Sequence, residues 1–479
     1  MTSFQHKILS LTFILFCISY VSVSQNSFNV TLKDSTYDNM VHCAIETKSG
    51  HFIIASARIL QLGNFVANIL KIDAYGNLLK QQILSFNGNI GALSGIIQIS
   101  DNRFVLSGGT FTGNSGNLWL CTIDSSLNVV HQKSCRIGSY SIFNAKIKLD
   151  YQNNILVFGQ VDSSGFSYSF LYKLTSTLDS ISCKIYNEDY SNFQDLIERS
   201  DHQGYYFMVL GFGIGSAKIL ALDPNFNIEK ITELTDEIAN LGTIRLIDPT
   251  HYIVCALRIG PIVKEIGVQM YDTLYHLVHY GYYGKVDTNE WPAMVKSIDF
   301  TDTSSIFIGG TSYMYDYEFV PIDNWYRMNN IDTAFNLKWE KFYGGDGYYT
   351  LYGILATHDG GCLMYGTIWD YHHISDYVRY LKLIKVSKDG LLSDKNGEPG
   401  KLAKDVILYP NPGSDRIIIR SALRNLTVTF FDVMGNAVLS EPVQSSTESI
   451  DVSGLSPGIY FYRISSGEKV VDTGKWIKE

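Results

Sequence analysis

The feature that most restricts what this chain can fold into is a pattern that returns about every fifty residues between positions 40 and 390. Each copy has a polar turn, an apolar run that begins with a large residue, and a small residue four places later. The pairs are Phe52/Ser56, Phe104/Gly108, Ile155/Gly159, Phe207/Gly211, Tyr252/Ala256, Ile306/Gly310 and Cys362/Gly366. Successive anchors lie 52, 51, 52, 45, 54 and 56 residues apart. The runs, such as 52–55 and 306–308, are apolar on consecutive positions, which suits strands buried on both faces. Long helix-forming stretches are absent, and 32 Tyr with 25 Phe favour strands further.

A second landmark follows the anchor: an apolar residue, Asp, three turn residues, then Asn. It reads Ile72-Asp73 to Asn77, Ile123-Asp124 to Asn128, Leu222-Asp223 to Asn227 and Ile331-Asp332 to Asn336, with degenerate versions at Leu174-Thr175, Tyr271-Asp272 and Val386-Ser387. One Asp and one Asn bracketing a hairpin predict a turn in which Asp bonds local amides and Asn takes positive φ, rather than a calcium loop. A unit of this length with four short strands fits a β-propeller blade. The copies with Gly108-Gly109-Thr110 and Gly309-Gly310-Thr311 resemble kelch repeats and related bacterial secreted propellers. The expected fold is all-β: a seven-bladed β-propeller followed by a small C-terminal β-sandwich. The seventh copy lacks an outer strand, and the segment 27–33 is predicted to supply it and so close the ring.

The two ends of the chain state an address. Residues 1–24 carry one cation, Lys7, then an apolar core that ends before Ser22-Val23-Ser24, which is the pattern of a signal peptide. That core is too short for a permanent membrane span. Six cysteines remain beyond it, without paired spacing, and read as mostly buried free thiols. Net charge is −9 with no long basic run, which argues against a nucleic-acid partner.

Between Leu391 and Lys404 the polar run SDKNGEPGK reads as a linker. Beyond it, alternating strands at 416–420, 426–432, 459–464 and 470–477 are separated by turns. Four motifs stand in order there: Tyr409-Pro410-Asn411-Pro412, Phe431-Asp432-Val433-Met434-Gly435-Asn436, Leu455-Ser456-Pro457-Gly458-Ile459-Tyr460 and Lys475-Trp476-Ile477-Lys478. Together they resemble the C-terminal sorting domain (type A) of the type IX secretion system of Bacteroidetes. The resemblance implies the secretion machinery as partner, passage through the periplasm, and delivery to the outer cell surface or the medium. The division expected is a signal peptide at 1–24, the propeller at 25–392, the linker at 393–404 and the sorting domain at 405–479.

No HExxH, GxSxG, Walker loop or zinc-type spacing occurs, and neither a cofactor nor a metal is expected. Gly211-Phe212-Gly213-Ile214-Gly215 lacks the strand-loop-helix context of a dinucleotide site and reads as a blade loop. The only tight His/Asp cluster is His372-His373 with Asp370 and Asp376. Of the 32 Tyr, 17 fall between Tyr271 and Tyr380, which concentrates aromatic rings on one sector of the ring. Tyr313, Tyr315, Tyr317, Trp369 and Tyr371 are expected in loops between second and third strands; Tyr280, Tyr282, Tyr283, Tyr343, Tyr348 and Tyr349 are expected between blades. The candidate binding residues are Tyr315, Tyr317, Trp369, Tyr371, His372, His373 and Asp376, whose rings and acids suit a neutral or cationic glycan. The expected function is noncatalytic binding of a glycan or protein. The alternative is a propeller enzyme such as a polysaccharide lyase or hydrolase.

Overall fold

The computed structural model describes residues 26–479 apart from 35, 60–64, 87–90, 113–114, 187–189, 191, 211–216, 236–237, 261–262, 285–287, 315–319, 374–376, 393–402 and 422. The expected signal peptide, the glycine run at 211–215 and most of the expected linker therefore lie outside the described residues.

The anchor strands of the repeat fold as expected for strands buried on both faces. From Asp38 onward the strands group into seven consecutive antiparallel meanders, the first six of four strands and the seventh of three. The first strands of the seven units are Asp38–Glu46, Gly91–Ser100, Ser141–Leu149, Asn192–Glu198, Thr243–Asp248, the interrupted pair Glu290–Pro292 and Ile298–Asp302, and Tyr348–Ala356. Second strands carry the anchors and are buried on both faces, as in Phe52–Ile59 and Tyr205–Leu210, whereas fourth strands such as Leu78–Leu84 are largely exposed. Residues of six first strands, together with Val295 and Lys296 between the two pieces of the interrupted one, line one central cavity, so the meanders stand around a common axis. The protein is an all-β propeller followed by a small β-sandwich.

Closure uses the N-terminal segment. Phe28–Leu32 pairs antiparallel with Arg379–Val386, the third strand of the seventh unit, and supplies its missing outer strand. Phe28 packs on Phe52 of the first unit at 6.0 Å, and Asp38 holds Arg379 across the same seam.

The small residue four places after the anchor has a steric reason. A Cβ at Gly108 would lie 1.9 Å from the Ala92 carbonyl oxygen, and one at Gly366 would lie 2.2 Å from that of Thr350. These are carbonyls of first strands that bulge at Leu93/Gly95 and Leu351/Gly353. Similar bulges interrupt the first strands at Val41/Cys43, Ile142/Asn144 and Phe193/Asp195. A bulge bends its strand and re-aims side chains, here beside the axis.

The Asp turns are built on the chain's own groups. Asp124 Oδ1 accepts from the Ser126 and Asn128 amides while Oδ2 accepts from the Asn128 side chain, and Asp73, Asp223 and Asp332 repeat the arrangement. Thr175 and Ser387 build it with hydroxyls, and Asp272 with His276. One expectation is corrected. Positive φ falls on the residue before Asn, at Leu127, Phe226 and Phe335, because Asn serves instead as the side-chain donor. Leu127 and Phe226 are fully buried, and that packing offsets the strain of a bulky left-handed residue.

The C-terminal unit is a sandwich of a three-stranded sheet (Val406–Tyr409, Arg416–Ser421, Thr447–Asp451) and a four-stranded sheet (Ala437–Val443, Leu426–Phe431, Gly458–Ser466, Lys469–Lys478). The strands Val406–Tyr409, Ala437–Val443 and Thr447–Asp451 were not anticipated from the sequence pattern. Trp476 and Phe430 lie at its core. All six described cysteines are free, but Cys183 is exposed rather than buried.

Candidate functional site

The first and last sorting motifs are clasped together. Trp476 Nε1 donates to the Pro410 carbonyl at 2.9 Å, Asn411 Nδ2 donates to the Lys475 carbonyl at 2.8 Å, and the Ile477 amide donates to Asn411 Oδ1. Pro412 follows in the same turn, and Gly435 takes φ 85° in the Asp432 turn. The Tyr460 hydroxyl donates to the Ser456 carbonyl across the Pro457-Gly458 turn. Lys475, Pro457 and Gly458 are exposed, whereas Tyr409 is fully buried against the propeller, its ring 4.8 Å from Tyr313 and 5.8 Å from Trp325.

That burial belongs to a docked interface. The sequence reads 393–404 as a linker, yet its last two residues, Ala403–Lys404, extend the sixth unit by pairing with Leu337–Gly344, and Asp405 holds Lys341 at 2.6 Å. Arg420 enters from the sandwich and bonds both Glu290 and Glu340 of the sixth unit, which Arg327 also bridges. All four side chains are at most 7% exposed. Burial pushes the Glu340 carboxyl up, but Arg420 and Arg327 outweigh it and hold it at about 2. The reason for the correction is tertiary: a charge that reads as solvated in sequence finds its partners on another module.

The aromatic sector is partly packing. Trp369 ends the strand Cys362–Trp369 and is buried, packed in tilted contact with Tyr377 and Tyr371, so it is no loop residue. Tyr343, Tyr348 and Tyr349 are buried within strands, and Tyr280, Tyr282 and Tyr283 lie on the outer strand Leu277–Tyr283. Tyr315, Tyr317 and Asp376 lie outside the described residues. Tyr371 and His372 do converge: the Tyr371 hydroxyl donates to Asp323 Oδ1 at 2.8 Å and His372 Nε2 is 2.7 Å from the same oxygen. Burial raises the Asp323 carboxyl pKa despite both partners. His373 turns instead to Asp370, at 2.7 Å. Nothing in the sequence marked Asp323. Among the described residues no group of three or more His, Cys, Asp or Glu is placed to hold a metal.

A second site was missed from sequence: the axis itself. A cavity of about 530 Å³ is lined by Lys146, Lys148, Asp195, Arg245 and Lys296, and it adjoins a mouth of about 350 Å³ lined by His42, Asn144, Gln160, Asn192, Gln194 and Asn240. Lys146 lines both. Lys148 pairs with Asp195 at 2.6 Å, and Asp195 also accepts the Ile244 amide of the next unit. Asp299 takes Arg245, Lys296 at 2.7 Å, and the Ala356 amide. Lys146 reaches from the third unit to the Gln194 carbonyl at 2.6 Å and the Val295 carbonyl at 3.2 Å, crossing the axis. Burial lowers Lys146 to about 8, with Lys148 adding and Asp195 opposing. Burial, then Arg245 and Lys148, lower Lys296 to about 7. Burial holds His42 at about 4. The available signal was a charge inside the apolar run before the anchor, as in AKIKLD and KSIDF.

No helix among the described residues is long and apolar enough to cross a membrane. No curated protein matches the sequence. Solved structures similar to it include the WD40 domain of Toxoplasma gondii coronin, at 9% identity and TM-score 0.44, covering 79% of this chain and 89% of that one. PorZ of Porphyromonas gingivalis, a surface component of the type IX secretion system, is similar at 9% identity and TM-score 0.31, covering 92% and 81%. Kuenenia stuttgartiensis hydrazine synthase is similar at 10% identity and TM-score 0.49, covering 78% and 100%. Residues 407–479, which hold all four motifs, match the secretion system C-terminal sorting domain, and the chain therefore carries a type IX sorting signal directing it to the cell surface or beyond.

Proposed function

We propose that this is an exported propeller that acts as a noncatalytic binding module for a glycan or protein, brought through the periplasm to the type IX machinery. The observation that carries the binding reading is the mouth of the axial cavity, where five carboxamide side chains, Asn144, Gln160, Asn192, Gln194 and Asn240, converge. Amides donate and accept hydrogen bonds to hydroxyls and peptides but do not transfer protons, so this surface recognises rather than reacts. The glycine pairs support a kelch-like ancestry, and the C-terminal sorting motifs support a Bacteroidetes source, within the same proposal.

One observation favours the enzyme alternative. Asp323, with its pKa raised by burial and with Tyr371 and His372 on one oxygen, has the make-up of an acid/base group. A screen of the full chain against bacterial and host glycans and proteins, with product detection, separates the two. Retention without product is the expected result. Turnover that Asp323→Asn abolishes would establish the enzyme reading, and failure to retain any glycan or protein would overturn the proposal. Export is tested by deleting 405–479 in a host with this pathway: the truncated protein is expected in the periplasm, and its recovery outside the cell would contradict the sorting role.

A further inference from the structure

The charges around the axis do not balance. Four cations, Lys146, Lys148, Arg245 and Lys296, face two carboxylates, Asp195 and Asp299. Glu198 also lines the cavity but is turned outward, accepting from the Tyr151 amide at 2.7 Å and lying 3.2 Å from His202. Glu46, at the same end, accepts from the His358 amide. Lys146 has backbone carbonyls as its hydrogen-bond acceptors, which satisfy its protons but supply no formal counter-charge. Above it, His42 Nε2 and Asn240 Oδ1 are buried at the mouth without a hydrogen-bond partner. A buried polar atom left unpaired is costly, and a cation surplus in a partly dry cavity is costlier. A ligand that carries an oxyanion at one end and hydroxyls around it would relieve both.

We propose that the axial cavity binds an acidic sugar unit of a glycan, its carboxylate seated between Lys146 and Lys296 and its hydroxyls on the amide-lined mouth. This rests on the glycan-binding reading and narrows its substrate class. An acidic peptide would satisfy the lysines but leaves the amide-lined mouth with fewer hydroxyl partners, which favours the sugar. The charge state agrees. The groups facing the two amines are Asp195, Asp299, Lys148, Arg245, His42, Cys43 and Cys362. Burial, slightly offset by nearby cations, raises both thiols to about 12, and His42 is held at about 4, so neither type changes charge near neutrality. Lys146 and Lys296 are the groups shifted into that range, and an oxyanion between them would draw protons onto both as it binds.

The test is calorimetry of the full chain with oligogalacturonate, the same oligosaccharide with its carboxyls reduced to alcohols, and poly-glutamate. Oligogalacturonate is expected to bind with proton uptake, seen as a heat that depends on buffer ionisation enthalpy, and to weaken as pH rises from about 6 to about 9. The reduced sugar should bind about 10- to 100-fold more weakly, and Lys146→Met or Lys296→Met should cause a similar loss. The wild-type pH series stands even where a variant does not fold. Equal binding of acidic and reduced sugars would overturn this inference while leaving glycan binding intact. Preferential binding of poly-glutamate would overturn it in favour of a protein ligand. Failure of oligogalacturonate to bind, when the wider screen retains another glycan, overturns it alone; failure of every glycan and protein removes the parent reading as well.

Discussion

Two charge clusters in this molecule differ in balance and in water. At the contact between propeller and sandwich, two arginines meet two glutamates and none of the four is more than 7% exposed. At the axis, four cations meet two carboxylates, and Lys148, Arg245 and Lys296 keep 34%, 29% and 29% exposure. A dry cluster has to balance because an uncompensated charge there has no solvent to fall back on. A cluster that opens to water tolerates a surplus, and burial, with neighbouring cations adding to it, lowers the pKa values of its lysines. Balance marks a joint, whereas imbalance beside a cavity marks a place for something else to bind.

Both clusters depend on a closed ring, so the largest expected effect is from deleting 26–34. Losing the Phe28–Leu32 ladder and the Phe28 contact should destabilise the chain by about 5 kcal/mol and leave an open edge, read by chemical denaturation. An unchanged midpoint would show that the ring closes without that strand.

Next in size is Arg420→Met, which leaves Glu290 and Glu340 with Arg327 as the one arginine between them. A loss of about 3–5 kcal/mol is expected, with hydrogen exchange accelerating at 403–409 as the sandwich undocks. A loss below about 1 kcal/mol would reduce this joint to the level of a surface bridge. The sign with pH also follows from Glu340. Its folded pKa is depressed, so its contribution is complete above the unfolded value of 4.5 and disappears as pH falls through about 2.

Trp369→Ala, at a buried ring once expected to lie in a loop, should lower stability by about 3 kcal/mol. A melting temperature within error of wild type would return Trp369 to the loop surface. Tyr371→Ala, half-buried above it, should have a smaller effect on melting.

The smallest effect belongs to the axis. Lys146 and Lys296 bind protons less readily when folded than at the ordinary 10.5, so above about 7 the unfolded chain carries more protons and stability rises with pH. Between about pH 7 and about pH 9 the wild type should gain stability over the Lys146→Met/Lys296→Met double variant, by less than the two full shifts imply because both amines keep contact with water. Parallel pH profiles for the two proteins would mean that the lysines are not perturbed by the cavity.

The spacing of anchors, the Asp-to-Asn turns and the sorting motifs were legible in the sequence because each is written in residues close together or in a regular period, and the closing strand was legible because the seventh copy of that period lacks one. Asp124 and Asn128 need only each other, and Gly108 needs only the strand before it. The axis and the joint were not legible. Lys146 meets the Val295 carbonyl across 149 residues and Arg420 meets Glu290 across 130, at spacings that carry no periodic signature. Local chemistry selected the strands and turns, while the number of strands that close the ring and the edge on which the sandwich docks decided which distant charges share one enclosure.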